Sequence, residues 1–259
     1  MTGQFHLTYC GPQVSIQDGG RPGLLRYGIP ASGPLAPFEF HALGAALDQR
    51  KDFVAIEVSL GGLDGHWLGS PIIAGVFGGD FQVQVNGRDE SSWSVFVLRD
   101  GDHLRIRGGV SGNWCYFGFA GLINSQTWQG SRAMHVPAAI NGAALRSGDR
   151  IGVEAGTARD MLQGQFPRPP ETVFAGACDV VLGPQEHFFS KEALDQFLKS
   201  DFALTDQSDR MGRRLNGPHT PINADLTMPS EALLPGAVQI AGDLQPTVLL
   251  ADHQTTGGY

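Results

Sequence analysis

The chain has 259 residues, 41% hydrophobic and 17% charged, so it carries enough apolar area to fold around a core and is not disordered by composition. Eighteen Lys and Arg stand against 26 Asp and Glu, a net charge of −8 that excludes a broad electrostatic footprint for nucleic acid or anionic lipid. Thirty-six glycines, nearly twice the number expected at ~7% usage, point to turns, bulges and close backbone approaches, and so to β structure rather than a helical bundle.

The first residues, Met1 to His6, have neither a cationic segment nor an apolar one, so no signal peptide is expected. Ser15-Ile16-Gln17-Asp18-Gly19-Gly20-Arg21-Pro22-Gly23 reads as a strand end running into a rigid Gly/Pro loop. Such a loop holds Asp18 and Arg21 with little side-chain entropy left to lose on binding, although an Asp–Arg pair there can equally brace the loop. Leu35, Phe38, Leu43, Ala46 and Leu47 share one face at helical spacing. The apolar run from Pro71 to Gly79 is too short and too Gly-broken to span a membrane, and a cytoplasmic protein is expected.

From there the dominant signal has period two. Phe81, Val83 and Val85 alternate with polar residues, and Asn86-Gly87 follows as a tight turn needing positive φ. Trp93/Val95/Val97, Leu104/Ile106, Asn113–Phe119, Ile151/Val153, Val180–Leu182, Val238–Ile240 and Thr247–Leu250 read as further strands. Phe166-Pro167-Arg168-Pro169-Pro170 is a linker or an extended surface loop. Ser190 is a candidate N-cap for a helix over Lys191–Lys199, with Ala193, Leu194, Phe197 and Leu198 as its apolar stripe. The natural partition is two β domains, residues 1–108 and 109–259.

Several chemistries lack their motifs. The sequence contains no GxxxxGK[ST], HExxH or GxSxG, and no GxGxxG between a strand and a helix. Cys10, Cys115 and Cys178 are odd in number and far apart, and read as isolated reduced thiols. The eight histidines have no metal-ligand spacing, so no metal is expected.

A specific set of segments remains. Gln17-Asp18-x-Gly20-Arg21-Pro22-Gly23 is followed by Gly28-x-Pro30-x-Ser32-Gly33, then by Glu57 with Gly61-Gly62, and by Gly78-Gly79-Asp80-Phe81. Gly130-Ser131-Arg132 and Leu145-Arg146-Ser147-Gly148-Asp149 lie in the middle. Ser208-Asp209-Arg210-Met211-Gly212, Pro235-Gly236-Ala237-Val238-Gln239-Ile240 and Leu250-Ala251-Asp252-His253-Gln254-Thr255-Thr256-Gly257-Gly258-Tyr259 complete it. In this order the segments resemble the KipA-like family, also called allophanate hydrolase subunit 2 or biotin-dependent carboxyltransferase-like. The chain departs from the family pattern at Ala36, Gly44, Ala133-Met134, Ala241 and Leu244.

The resemblance implies a mainly β protein of two cyclophilin-like β-barrel domains with a few short helices, the second barrel being expected to be truncated because relatives continue past Gly-Gly-Tyr. It implies a subunit of an ATP-dependent 5-oxoprolinase complex that opens 5-oxo-L-proline to L-glutamate, with ATP as co-substrate. The implied partners are a KipI-like subunit (allophanate hydrolase subunit 1) and a LamB/YcsF-like subunit. Two alternatives stay open: a non-catalytic KipA-like protein that antagonises a KipI-like kinase inhibitor, and a urea or amide carboxyltransferase component. The chemistry asks for Arg to hold carboxylate or phosphate and for donors aimed at a developing oxyanion. Asp18, Arg210 and Asp252 are the candidate catalytic residues. Arg21, Arg132, Gln239, Gln254, Thr255, Thr256, Gly257, Gly258 and Tyr259 are the candidate substrate-binding residues, and for each a loop-bracing role competes.

Overall fold

The computed structural model describes residues 3–49, 52–156, 163–173, 176–222 and 230–257. The chain divides into two compact units, the first formed by Met1–Arg21 with Ser32–Phe174, the second by Pro22–Ala31 with Ala175–Tyr259.

Unit 1 contains two open antiparallel sheets. One has seven strands, in the order β11 (Gly121–Ile123), β12 (Arg150–Ala155), β1 (Gly3–Cys10), β4 (Leu63–Gly69), β9 (His103–Arg107), β6 (Gln82–Val85) and β7 (Arg88–Glu90). The other has six, in the order β13 (Gly164–Gln165), β8 (Trp93–Leu98), β5 (Ile72–Phe77), β10 (Trp114–Phe119), β3 (Ala55–Ser59) and β2 (Ser15–Gln17). Inward-facing residues of both sheets share one core, with Phe5, Leu7, Trp67, Leu104 and Ile106 from the first, and Ile56, Val76, Leu98, Phe117 and Phe119 from the second. The period-two pattern decides this, since alternate residues of a strand point to opposite faces.

The six-stranded sheet is buried on both faces. Helix α1 (Pro37–Ala46) covers its other side, where Phe40, Leu43 and Leu47 meet Ala55, Phe77, Trp93, Val95 and Tyr116 in a second apolar cluster. That is why β10 is buried at all six positions and why it reads as an aromatic run rather than an alternating strand. Gly75 and Gly118 let the helix approach, because a Cβ on either would meet a methyl of Leu43 or the ring of Phe53 at 2.9 Å.

The mainly β class holds, but the sheets are not closed barrels. Closure needs first and last strands that pair. Here the sheets of unit 1 end in β7, β11, β2 and β13, strands of only two or three residues. The boundary expected between 108 and 109 falls inside unit 1: β10 pairs with β3 and β5, and β12 pairs with β1, so these later strands complete the sheets of the earlier ones.

Unit 2 contains a four-stranded sheet in the order β14 (Ala203–Ser208), β15 (Gly212–Asn216), β18 (Pro246–Leu249) and β17 (Val238–Ile240). Two short strands, β16 (Glu231–Ala232) and β19 (Thr256–Gly257), pair separately. Helix α2 (Lys191–Lys199) is capped as expected, with Ser190 Oγ accepting from the Ala193 amide at 3.1 Å. The strand expected at Val180–Leu182 does not form; the three side chains are 50%, 96% and 47% exposed and the segment pairs with no strand among the described residues. No helix among the described residues is long and apolar enough to cross a membrane. The three cysteines are free.

Candidate functional site

The residues singled out in the sequence gather in two clusters, one in each unit. In unit 1 the cluster is built where β2 ends. Gln17 is fully buried; its Nε2 donates to Ser15 Oγ (2.9 Å) and the Met134 carbonyl (3.1 Å), and its Oε1 accepts from the Gly33 amide (3.1 Å). The strand is thereby tied to two distant loops. Asp18 follows and turns back on itself, accepting from the Gly20 amide at 2.8 Å, a turn that needs Gly20 at a φ of 80°.

The same carboxylate also receives the Ser131 hydroxyl (2.7 Å) and the amides of Arg132 and Ala133 (the latter 3.2 Å). Asp18 therefore accepts four hydrogen bonds, three from backbone, and fastens loop 131–133 to loop 18–21. Arg21 is 2% exposed; its Nη2 donates to the Ala133 carbonyl and its guanidinium lies 5.9 Å from the Trp128 ring centre. Arg132 is half-buried and donates Nη1 to the Ser125 carbonyl at 2.7 Å. Asn141 completes the loop, donating Nδ2 to the carbonyls of Ser131 (2.8 Å) and Ala133 (3.0 Å). Its φ of 59° is left-handed, a conformation Asn tolerates and these two bonds hold. A solvent-open cavity of about 490 Å³ lies beside this loop, lined by Ile16, Asn124, Ser125, Gln126, Met134 and Asn141.

A second buried network supports the same unit. Glu57, fully buried on β3, accepts from the Tyr116 hydroxyl (2.8 Å) and the Leu35 amide (2.9 Å), and the Tyr116 oxygen accepts from the Ala36 amide (2.8 Å). Burial and the nearby Glu57 carboxylate push the Cys115 thiol well above its usual pKa, so it stays protonated.

In unit 2, Arg210 sits in the bend between β14 and β15, and Asp252 follows β18. The guanidinium grips the carboxylate through two nitrogens, Nε to Oδ2 at 2.8 Å and Nη2 to Oδ1 at 3.3 Å. The backbone repeats the link, with the Asp252 amide donating to the Arg210 carbonyl at 2.9 Å. Gln254 Nε2 donates to Gln239 Oε1 at 2.8 Å. Thr255, Thr256 and Gly257 run alongside β16: the Leu233 amide reaches the Thr255 carbonyl at 3.3 Å, and Thr256 and Gly257 form β19. Gly258 and Tyr259 lie outside the described residues.

Residues 27–259 match the family model described as carboxyltransferase domain, subdomain A and B. The chain belongs to that family. It is 29% identical to the C subunit of 5-oxoprolinase from Escherichia coli strain K12 over 255 residues, covering 96% of this chain and 80% of the relative. It is 27% identical to the urea amidolyase of Lachancea kluyveri over 285 residues, covering 98% of this chain but 15% of that protein. The crystal structure of the Kluyveromyces lactis urea carboxylase matches at a TM-score of 0.86 and 22% identity, over all of this chain and 25% of that one, a likeness of fold. The chain thus spans most of the bacterial relative and a small part of the two longer proteins.

For a carboxyltransferase-family chain the two clusters have different chemical reach. The Asp18 carboxylate is surrounded by donors, so it organises its loop. The Arg210–Asp252 pair ties the bend after β14 to the segment after β18 through two hydrogen bonds. Arg132 keeps Nη2 without a hydrogen bond among the described residues, which leaves a guanidinium edge for an anion. Reading the sequence missed Ser125, Ser131 and Asn141 as site residues. Asn141-Gly142 carried the available signal, since an Asn-Gly pair marks positive φ, and both residues have it (59° and 116°). Nothing local marks Ser125.

Proposed function

We propose that this chain is a subunit of an ATP-dependent 5-oxoprolinase-type complex, which hydrolyses 5-oxo-L-proline to L-glutamate together with KipI-like and LamB/YcsF-like subunits. The likeness to the Escherichia coli 5-oxoprolinase subunit over nearly the whole chain carries the reading. The chemistry is consistent with the residues present. A lactam is a poor electrophile, because its nitrogen lone pair is delocalised into the carbonyl. Phosphoryl transfer from ATP to the carbonyl oxygen makes the carbon attackable by water; the ring C–N bond then breaks, its nitrogen leaving protonated as the amine of glutamate, and a second water hydrolyses the resulting acyl phosphate to release phosphate. The protein then has to hold the lactam and its carboxylate in place, a task for neutral hydrogen-bonding groups beside an Arg. The Ser125–Arg132–Asn141 loop of unit 1 supplies both kinds of group.

Co-expression of the chain with its two partners tests the reading. A co-purifying complex that releases glutamate from 5-oxo-L-proline only when ATP is present supports it, and a complex without turnover contradicts it. A second reading, a component that moves a carboxyl group onto urea or an amide, draws on the family's carboxyltransferase description and on the urea amidolyase relative. The same complex, given urea, bicarbonate and a biotinylated carrier, separates the two.

A further inference from the structure

The outer face of the seven-stranded sheet in unit 1 aligns three of the eight histidines. Register places His6 of β1 opposite His66 of β4, and His66 opposite His103 of β9, so the three share one face in a row across neighbouring strands. All three are half-buried. Linear spacing hides the row, because each member comes from a different strand.

The two pairings differ. The His103 carbonyl accepts from the Asn86 amide at 2.8 Å, and the His103 amide donates to Asn86 Oδ1 at 2.9 Å. A strand residue points both backbone groups to the same side, so toward β4 His103 forms a non-hydrogen-bonded pair with His66. Such a pair holds its Cα atoms about 4.5 Å apart, against about 5.5 Å for the hydrogen-bonded kind that His66 forms with His6. The His66 and His103 imidazoles accordingly stack, with ring centres 4.7 Å apart and 29° between their planes.

Backbone also orients His66. Its Nδ1 lies 3.3 Å from the Gly101 carbonyl. A carbonyl only accepts, so in the neutral ring Nδ1 carries the proton and Nε2 keeps its lone pair. An imidazole held through one nitrogen by a carbonyl, with the other nitrogen offered, is the arrangement of a metal-ligating histidine. The carboxylates nearby are committed elsewhere. Asp102 accepts from Asn86 Nδ2 and the Arg99 amide, both at 2.7 Å, and Asp100 accepts from the Gly69 amide at 2.8 Å. Asp64, on the same face of β4, is gripped by Arg107. No group of three or more His, Cys, Asp or Glu among the described residues is arranged to hold a metal ion, so an ion here rests on two imidazoles and completes its shell with water.

We propose that His66 and His103 chelate a divalent transition-metal ion, with Nε2 as the His66 ligand. Two Zn–N bonds of about 2.1 Å at a tetrahedral angle put the nitrogens roughly 3.4 Å apart. Rings with centres 4.7 Å apart reach that separation by tilting their edges together. Imidazole selects Zn2+, Ni2+ or Cu2+ over the oxygen-seeking Mg2+ and Ca2+. The ion clamps β4 to β9 beside residues 99–102. The site is separate from the two clusters described above, and the proposed function does not depend on it.

The test takes the untagged full chain, stripped with EDTA, and titrates it with Zn2+ and separately with Mg2+, reading heat and histidine ring signals by NMR. One Zn2+ binds per chain, and the ring signals of His66 and His103 shift while those of His41 and His219 do not; Mg2+ does neither. His66→Gln and His103→Gln each weaken Zn2+ binding by about tenfold or more, at least what loss of an outer-shell partner costs a metal site. Circular dichroism confirms that both variants fold. His41→Gln, at a lone exposed histidine, and Cys178→Ser, which removes an exposed thiol, leave the affinity unchanged. No Zn2+ binding, binding that survives His66→Gln, or a loss in only one of the two variants overturns the proposal. Binding lost in Cys178→Ser assigns the ion to that thiol and overturns it too. Several ions per chain with none dependent on His66, an adventitious ion only, does the same.

Discussion

Asp252 holds Arg210 through both carboxylate oxygens, at 2.8 and 3.3 Å, although 42 residues separate them and neither side chain is more than 6% exposed. Two charges so far from water are tolerable only together. Asp252→Asn is therefore expected to destabilise the protein by about 3–5 kcal/mol, because it removes a buried carboxylate that the Arg210 guanidinium grips through two nitrogens. The Arg214–Asp243 pair of the same unit is 36% and 43% exposed, and Asp243→Asn there is expected to cost less than about 1 kcal/mol. Urea denaturation of both variants checks the contrast. Equal losses would mean that the buried pair contributes no more than a surface one.

Asp18 makes a second prediction. Its carboxylate receives Gly20, Ser131, Arg132 and Ala133, so Asp18→Ala strands donors in two loops at once. The expected loss is about 2–4 kcal/mol, against about 1 kcal/mol for Ser131→Ala, which removes one of the four. Hydrogen exchange localises the effect: the amides of residues 131–133 lose protection in Asp18→Ala first. Unchanged protection there would show that the loop is held by something else.

Backbone packing gives a third. A Cβ on Gly109 would lie 1.3 Å from the Asp80 carbonyl oxygen, so Gly109→Ala requires two backbone segments to separate and is expected to abolish folding or lower Tm by many degrees. Gly19 has nothing within 4 Å of a built Cβ, and Gly19→Ala is expected to change stability by no more than about 0.5 kcal/mol. Thermal melts of the two variants side by side measure the difference.

The thiols provide a fourth, with a defined pH dependence. Burial and the Asp149 carboxylate push Cys10 up to about 11, and burial pushes Cys115 well above its usual value, while Cys178 is exposed. A raised thiol pKa means that the reactive thiolate is scarce below it. At pH 8 the folded protein should show one fast thiol toward Ellman's reagent and all three in denaturant, with Cys10 gaining reactivity only as the pH nears its own value. Two fast thiols at pH 8 would contradict the burial of Cys10.

Much of the fold was legible because local chemistry and tertiary structure agree. Asn86-Gly87 reads as a hairpin turn and adopts φ values of 53° and 77° between β6 and β7. Ser190 reads as a cap and caps. Val180–Leu182 reads as a strand from composition alone, yet pairing depends on a neighbour that no local pattern specifies, and its side chains remain largely exposed. The closed barrels expected from the resemblance give way to open sheets, because the outermost strands are only two or three residues long and do not pair with one another. At the site, the Gly/Pro loop marked Asp18 and Arg21, but their partners lie more than a hundred residues away. Ser125 was invisible for a different reason: its hydroxyl is buried without a hydrogen-bond partner, which is a property of packing.

Purified KipI-like and LamB/YcsF-like subunits, assayed with and without this chain for 5-oxo-L-proline-dependent ADP release and glutamate formation, test the central claim most directly. The account predicts that glutamate and ADP form together only when the chain is added. Equal rates in its absence, or no glutamate in its presence, would contradict it.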